Sequence, residues 1–266
     1  MIKLKSEEQI EKMRKASEIL CQTHLAIRKV LKPGLTTLQL DKFAHDFMIY
    51  KNARPAQLNY EGFPYSLCTS VNDEICHGFP SDYVLKEGDL LSVDNVVDYK
   101  GGLADSCWSY KIGELSEEKA KLMDVTYESL MRAIEISKPG NRLGDIGATI
   151  QEYVESNGFS VVREFTGHGI GDEMHEDPQV LHYGKRGHGQ RLVKGMVFTI
   201  EPMVNVGRWK AVMDDNNWTA RTIDGKTSCQ FEHQIVITDD KPEILTDQSK
   251  YSLTKEDEEF ISNYKL

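Results

Sequence analysis

Residues 91–105 read LSVDNVVDYKGGLAD, in which a strand rich in β-branched residues leads through a glycine turn into a second strand. Asp94 lies inside the first strand, where a buried carboxylate costs free energy unless it is paired, hydrogen-bonded or bound to a metal. Asp105 lies on the second strand. If the strands form a hairpin with an even-numbered loop, both carboxylates face one side, because side chains alternate with a period of two.

Two like charges on one buried face repel each other, and a shared proton or a bound dication relieves the repulsion. At neutral pH the dication relieves it better. The alternative is that one aspartate only caps a turn at the end of a strand. The pair by itself leaves both interpretations open.

Two further acids and a histidine favour the metal. Glu201 interrupts the apolar run MVFTIEPMV at 196–204, Glu232 lies in CQFEHQIVI at 229–237, and His168 lies between glycines in TGHGIG. Oxygen ligands with one imidazole suit two octahedral or five-coordinate ions of Mn, Fe or Co, and Zn is also possible. Such a two-metal site activates a bridging water and polarises a carbonyl, which is the chemistry of a hydrolase.

The chain also repeats itself in outline. Lys32-Pro33-Gly34 recurs at 138–140, and Leu85-x-x-Gly88 recurs at 192–195. Gly88 lies six residues before Asp94, and Gly195 lies six residues before Glu201, and both acids are in predicted strands. The repeat predicts two related α+β halves across a pseudo-twofold axis, and chance recurrence of short motifs is the alternative. Because no linker divides the chain, we interpret residues 1–266 as one catalytic domain with halves of roughly 1–110 and 111–266.

Helices are predicted where capping signals precede a helical period of apolar residues. A capping box of Ser6 and Gln9 opens the first helix, and Thr36 with Gln39 opens the second. Further helices are predicted over 130–136 and through 146–154. Strands are predicted over 90–97, 161–165, 196–204 and 231–238.

Composition narrows the class of protein. The 266 residues carry a net charge of −10, which disfavours general binding to nucleic acid because an acidic surface repels phosphates. No run approaches the roughly 20 apolar residues of a membrane span, and the start MIKLKSEEQI lacks the apolar core of a signal peptide. Five scattered cysteines without a C-x-x-C pair fit reduced thiols. We therefore expect a cytoplasmic protein.

Five strings in order resemble the type I methionine aminopeptidases, which have the pita-bread fold of two pseudo-symmetric α/β halves around a curved antiparallel sheet. The strings are SVN…CHG at 70–78, GHGIG at 167–171, HExP at 175–178, FTIEP at 198–202 and QFEH at 230–233. The resemblance extends from the first helix to about Thr238. It implies an enzyme that removes the initiator methionine from nascent chains when the next residue is small.

The resemblance also implies a role for each acid and for His168. Asp94 would chelate one metal ion and His168 the other, while Asp105 and Glu232 would bridge or share both. Glu201 would ligate as well, and would relay the proton from the bridging water to the departing amine.

Other residues would hold the substrate. His77 would position the scissile amide, and His175 would donate a hydrogen bond to the carbonyl oxygen as charge builds on it. The methionine pocket would be walled by Tyr60, Phe63, Cys68 and Trp218. Ordinary core packing is the alternative for each wall residue.

The remaining histidines are interpreted as non-catalytic. Four of them are expected to be satisfied or solvated, and one to face away from the site: His24, His45, His182 and His188, then His233. A nucleophilic Cys76–His77 pair is disfavoured because adjacent strand residues point apart.

Several positions depart from the family pattern. Asn95 and Val96 replace a small residue and a hydroxyl residue, and losing the hydroxyl can weaken metal affinity roughly 10–100-fold. Asp98 is an additional acid. Met174 lies where an aromatic residue is common, and Gln57 is more polar than the usual residue. We still expect activity because all five ligands are present.

Two rivals remain open. A prolidase-like or Xaa-Pro peptidase shares the fold, but usually carries an N-terminal domain for which about 30 residues are too few. A non-catalytic binding paralogue is the second rival, and such proteins commonly lose ligands. The expected partners are peptide N-termini, with possible ribosome contact, and a monomer is the expected state.

Overall fold

The computed structural model describes residues 2–266, which form five α-helices, two short 3-10 helices and fifteen strands. The α-helices are α1 (Glu7–Val30), α2 (Thr37–Tyr50), α3 (Glu117–Glu135), α4 (Leu143–Ser156) and α5 (Lys255–Asn263), and the 3-10 helices are Tyr60–Gly62 and Gln248–Lys250. The strands are β1 (Arg54–Pro55), β2 (Leu67–Val71), β3 (Glu74–Cys76), β4 (Leu90–Tyr99), β5 (Gly102–Lys111), β6 (Ser160–Val161), β7 (Gly167–Gly169), β8 (Glu176–Val180), β9 (Val197–Ile200), β10 (Met203–Asn205), β11 (Ala211–Met213), β12 (Ala220–Thr222), β13 (Ser228–Gln230), β14 (His233–Ile237) and β15 (Pro242–Ile244). Helices packed on antiparallel sheets confirm the predicted α+β class.

Both predicted capping boxes are present. The side chain of Ser6 accepts the N–H of Gln9 at 3.3 Å, and the Gln9 side chain accepts the N–H of Ser6 at 3.0 Å. Thr36 and Gln39 repeat this exchange at the start of α2. The helix predicted over 130–136 is only the end of α3, because the side chain of Ser116 caps the helix much earlier in the chain.

The predicted hairpin is β4 and β5, which pair along their whole length. A two-residue turn joins them, and both of its residues have positive φ, 52° at Lys100 and 79° at Gly101, as a type I′ turn requires. Asp94 lies opposite Cys107 and Val96 lies opposite Asp105. The two aspartates are therefore diagonal neighbours on one face of the sheet, as predicted.

Two predicted strands of the second half are each broken. The run 196–204 divides into β9 and β10, and 231–238 shortens to β14, with β13 before it. Ile200 pairs with His233 and Met203 pairs with Gln230, so one register continues across the gap. The interruption falls at Pro202, which has no N–H to donate to the ladder. Glu201 and Glu232 thus lie at the break and not inside strands.

The strand predicted over 161–165 is also shorter. It consists of β6 alone, which pairs with β10. The N–H of Val162 still bonds to the carbonyl of Met203 at 3.0 Å.

The two halves meet where β5 touches the segment between β13 and β14. The N–H of Glu232 donates to the carbonyl of Cys107 at 2.8 Å, and the hydroxyl of Ser106 donates to the carbonyl of Glu232 at 2.9 Å. The N–H of Asp105 donates to the side-chain oxygen of Gln234 at 2.9 Å. These bonds bring acids from both halves together.

The sequence repeat corresponds to repeated hydrogen bonds. Gly34 donates its N–H to the carbonyl of Leu85 at 2.8 Å, and Gly140 donates to Leu192 at 3.0 Å. Gly34 has a φ of 93° and Gly140 a φ of 95°, values that favour glycine over other residues. Helices α1 and α2 pack on the first-half sheet in one apolar cluster, and α3 and α4 pack on second-half strands in another.

His24 lies on the buried face of α1 and is a satisfied histidine, as predicted. Its ring contacts the hydroxyl of Tyr110 at 2.9 Å and the carbonyl of Ser106 at 3.2 Å. Burial lowers the pKa of His24 to about 4. A histidine of ordinary pKa in the unfolded chain takes up a proton near pH 6.5, so the contribution to stability is lost as pH falls from about 6.5 towards 4.

We therefore expect the wild-type protein to lose roughly 2 kcal/mol more unfolding free energy than His24→Gln between pH 8 and pH 5. Urea unfolding of both proteins at the two pH values measures the difference. Because His233 and the acids titrate in both proteins, they cancel in the comparison. Equal pH dependence in the two proteins would contradict the neutral state of His24.

Candidate metal centre and substrate cavity

The four predicted acids line one cavity of about 540 Å³. Asp94 and Asp105 enter it from the hairpin, and Glu201 and Glu232 enter it from the break in the second half. His168 enters from β7. The cavity therefore collects all five side chains that the sequence analysis singles out as metal ligands.

Three of the five form a tight cluster. One oxygen of Asp105, one ring nitrogen of His168 and one oxygen of Glu232 all lie within 4.8 Å of one another. Nε2 of His168 lies 3.6 Å from Oδ2 of Asp105 and also 3.6 Å from Oε1 of Glu201. Asp94 lies on the same face of β4–β5, diagonal to Asp105.

The chemistry of this donor set fits divalent cations. Oε1 of Glu232 is buried and has no hydrogen-bond partner among the described residues. Burial, with repulsion between neighbouring carboxylates, raises the pKa of Asp105 and of Glu232 well above the usual range. Burial also raises the pKa of Asp94 to about 7 and that of Glu201 to about 8. A cation with hard-to-borderline character satisfies such a group of oxygens and one imidazole.

His168 is oriented by its backbone surroundings. Its Nδ1 lies 3.1 Å from the carbonyl of Gly169, so Nδ1–H donates there and the lone pair of Nε2 faces the acids. Burial lowers the pKa of His168 to about 3, which keeps the ring neutral. A side chain at Gly169 would collide with the carbonyl of Asp177, which explains why glycine follows the histidine.

Glu201 is held by three contacts. The hydroxyl of Thr199 donates to Oε1 at 2.7 Å, and the amide of Gln230 lies 3.4 Å from Oε2. Its own N–H donates to Nε2 of His182 at 3.1 Å. These contacts fix both the carboxylate and the backbone of Glu201 beside His168.

His182 supports the backbone of Glu201, a role that the sequence analysis did not assign to it. It was expected to be satisfied or solvated, and in the structure it is completely buried, with Nε2 accepting the N–H of Glu201. A usable signal was present in the sequence, because His182 follows Pro178 and Val180 at intervals of two residues, the spacing of side chains on one face of a strand. All three residues are buried in the structure.

The two predicted substrate histidines lie on the wall of the cavity. His77 has a positive φ of 55°, and its ring packs edge-on against Phe165 and Trp218. Burial lowers the pKa of His77 to about 4. His175 contacts the hydroxyl of Tyr60 through Nδ1 at 2.9 Å, and its ring centroid lies 4.3 Å from that of His168. A positive φ in a residue other than glycine is typical of functional sites.

The four predicted pocket residues all line the cavity as well: Tyr60, Phe63, Cys68 and Trp218. Phe63 and Trp218 pack edge to face with ring centroids 5.2 Å apart. Phe165 and Met203 add apolar wall that the sequence analysis did not name. Burial raises the thiol pKa of Cys76 well above the usual range, which disfavours a nucleophilic thiolate.

The residues that depart from the family pattern lie in or near the cavity or in the hairpin turn. Val96 and Met174 are buried and pack in one small apolar cluster beside the cavity. Asn95 is fully buried, and its amide has no partner among the described residues. Asp98 accepts hydrogen bonds from Arg54 at 2.6 Å and from the N–H of Gly101 at 3.1 Å, so it stabilises the hairpin turn. Nε2 of Gln57 donates a hydrogen bond to Oδ1 of Asp94 at 3.1 Å.

Comparison with known proteins identifies the family. The sequence profile of metallopeptidase family M24 matches residues 11–239. The methionine aminopeptidase of Clostridium acetobutylicum is 49% identical over 247 residues, which span 92% of this chain and 99% of that protein. Methionine aminopeptidase 1 of Bacillus subtilis is 46% identical, with 92% of this chain covered and 99% of that protein.

The chain belongs to the methionine aminopeptidases of family M24. The crystal structure of the methionine aminopeptidase from Rickettsia prowazekii superposes with a TM-score of 0.91 at 43% identity, over 93% of this chain and all of that one. Membership confirms the predicted pita-bread fold, the class of metal-dependent hydrolase and the dependence on divalent metal ions.

More distant structures share only the fold. The prolidase of Pyrococcus furiosus superposes with a TM-score of 0.73 at 23% identity, over 92% of this chain and 65% of that one. Within the described part of the chain, no helix is both long and apolar enough to span a bilayer.

Proposed function

We propose that this methionine aminopeptidase removes the N-terminal methionine from nascent proteins and peptides whose second residue is small. The observation that carries the proposal is the cluster of Asp105, His168 and Glu232 in a cavity that also has an aromatic wall. An apolar pocket beside a hydrolytic centre suits a thioether side chain. The requirement for a small second residue rests on the family resemblance.

In this proposal five residues hold two divalent cations: Asp94, Asp105, His168, Glu201 and Glu232. When bound, the cations supply Lewis-acid activation of the attacking water and of the scissile carbonyl. Mn, Fe, Co and Zn all remain candidates for this ligand set.

Glu201 is the residue that moves protons. Its carboxylate is oriented by the hydroxyl of Thr199, which donates to Oε1 at 2.7 Å, and a carboxylate held in this way can act as a general acid–base group. It accepts a proton from the attacking water and delivers it to the departing amine.

His175 and His77 act on the substrate. The hydroxyl of Tyr60 donates to Nδ1 of His175, which leaves Nε2–H to donate to the carbonyl oxygen as negative charge develops. Burial keeps His77 neutral between Phe165 and Trp218, where it positions the scissile amide.

The remaining features of the proposal concern the whole chain. Residues 1–266 act as one catalytic domain, as a monomer in the cytoplasm, with transient contact to the ribosome where nascent N-termini emerge. The five buried cysteines, all free, suit a reducing compartment. The net charge of −10 argues against a direct nucleic-acid site.

A panel of peptides tests the substrate assignment. The manganese-loaded protein is expected to release methionine from Met-Ala-Ser, with kcat/KM at least tenfold above that for Met-Lys-Ser and for Leu-Ala-Ser. Preferential cleavage of an Xaa-Pro peptide would move the protein to the prolidase type. No turnover, in a protein that binds the metal, would favour a binding role.

A further inference from the structure

The carboxylate of Asp94 is supported by an amide from outside the hairpin. Nε2 of Gln57 lies 3.1 Å from Oδ1 of Asp94 and 3.5 Å from the sulfur of Cys68. Among the described residues, this amide is the side chain that donates a hydrogen bond to Asp94. The bond uses one of the roughly four lone-pair sites of the carboxylate and leaves the others on both oxygens to bind a cation.

The backbone around Gln57 is fixed on both sides. The N–H of Ala56 donates to the carbonyl of Val96 at 2.8 Å, which ties this segment to β4. The carbonyl of Gln57 accepts the N–H of Tyr60 at 2.9 Å. Gln57 itself is 7% exposed, so its amide is held in place by its surroundings.

The neighbours of Asp94 on the sheet cannot replace this donor. Cys68 and Cys107 lie directly opposite Asp94 on the two adjacent strands, and thiols are weak donors. Val96 follows two residues later on the same face, is 1% exposed, and has no polar atom. A hydroxyl at position 96 would lie on the same face as both hairpin aspartates, because Val96 is directly opposite Asp105.

We propose that Gln57 is a positioning residue that holds Asp94 for metal binding, and that it supplies the support which Val96 cannot give. The inference rests on the proposed role of Asp94 as a metal ligand. A carboxylate without such an outer contact is free to rotate, and removing the partner of a ligand typically costs 10–100-fold in metal affinity. Gln57 and Val96 thus form a compensating pair.

The variant Gln57→Met tests the proposal, because methionine has nearly the same length and lacks the donor. Isothermal titration of the metal-free protein with Mn²⁺ is expected to give a Kd roughly 10–100-fold above wild type. The double variant Gln57→Met/Val96→Thr is expected to recover most of the lost Mn²⁺ affinity. The visible absorption spectrum of the Co²⁺-loaded protein reports ligand geometry independently of turnover. It should change in Gln57→Met and return towards the wild-type spectrum in the double variant.

A matched control removes another amide from the same cavity. Gln179→Met leaves the contacts of Asp94 intact and is expected to bind Mn²⁺ as wild type does. If Gln57→Met fails to fold, Gln57→Asn provides the test, because its side chain is one methylene shorter and ends before Asp94.

Asp94→Asn separates this inference from the proposed function. If Asp94→Asn loses Mn²⁺ affinity while Gln57→Met does not, the inference about Gln57 is overturned and the ligand assignment stands. If Asp94→Asn binds Mn²⁺ with unchanged affinity and stoichiometry, Asp94 is not a ligand, and both fail. A loss in Gln57→Met that Val96→Thr leaves untouched would overturn the compensating pair.

Discussion

Glu201→Gln is expected to lower kcat for Met-Ala-Ser by about 10²–10⁴-fold, the range typical of a lost general acid–base group. The substitution keeps the size of the side chain and its contact with Thr199, whose hydroxyl lies 2.7 Å from Oε1. It removes the carboxylate that accepts and delivers the proton. Steady-state kinetics at saturating metal, together with the metal content of each sample, measure the effect.

The control for this variant is Glu128→Gln, since Glu128 is a half-buried acid on α3, outside the cavity lining, and pairs with Arg132 at 2.7 Å. It changes net charge equally and is expected to leave kcat unchanged. A Glu201→Gln protein that binds metal fully and keeps more than a tenth of wild-type kcat would rule out the proton role of Glu201.

Lys5→Met is expected to lower the unfolding free energy by about 3–5 kcal/mol, because it leaves one partner of a buried ion pair without its counter-charge. Nζ of Lys5 lies 2.6 Å from Oε2 of Glu176, and the two side chains are only 1% and 9% exposed. The backbone of Gly171 lies so close that any side chain there would collide with the ammonium group. The pair is therefore built into the packing.

The Lys5–Glu176 pair also stabilises the loop at 171–175, which carries His175. Oε1 of Glu176 accepts the N–H groups of Asp172 at 2.8 Å and Glu173 at 3.2 Å. The N–H of Lys5 bonds to the carbonyl of Gly195 at 2.8 Å, which anchors the segment before α1. Lys5→Met should therefore also loosen His175 and lower kcat.

Urea unfolding of the metal-free proteins measures the stability effect. Lys3→Met is the control, since both side chains of the Lys3–Asp172 pair are 59% exposed and such exposed pairs contribute little to stability. The double variant Lys5→Met/Glu176→Gln should recover part of the loss, because no buried charge is then left alone. Equal losses in Lys5→Met and Lys3→Met would show that the buried pair has no special role.

Local patterns in the sequence predicted the elements whose causes are local. The hairpin of Asp94 and Asp105 follows from strand alternation and a glycine turn, and both capping boxes follow from residues three apart. The repeat pointed to two halves because glycines with positive φ were needed at equivalent turns. These features need no knowledge of distant contacts.

What the sequence analysis missed depends on long-range contacts. The break at Pro202 was taken as continuous strand because its apolar flanks dominate the pattern, although the proline itself was a usable signal. The places of His182 behind Glu201 and of Gln57 beside Asp94 depend on strands that are far apart in sequence. Gln57 was noticed as unusual, but the reason became clear only from the contact.

The most direct test of the account is metal-dependent release of methionine from Met-Ala-Ser. The protein is stripped with a chelator, dialysed, and titrated with Mn²⁺ or Co²⁺, while methionine release and bound metal are followed together. The account predicts no release without metal, and full activity restored as the site in the cavity fills. Methionine release that persists in verified metal-free protein, or none at any metal loading, would contradict it.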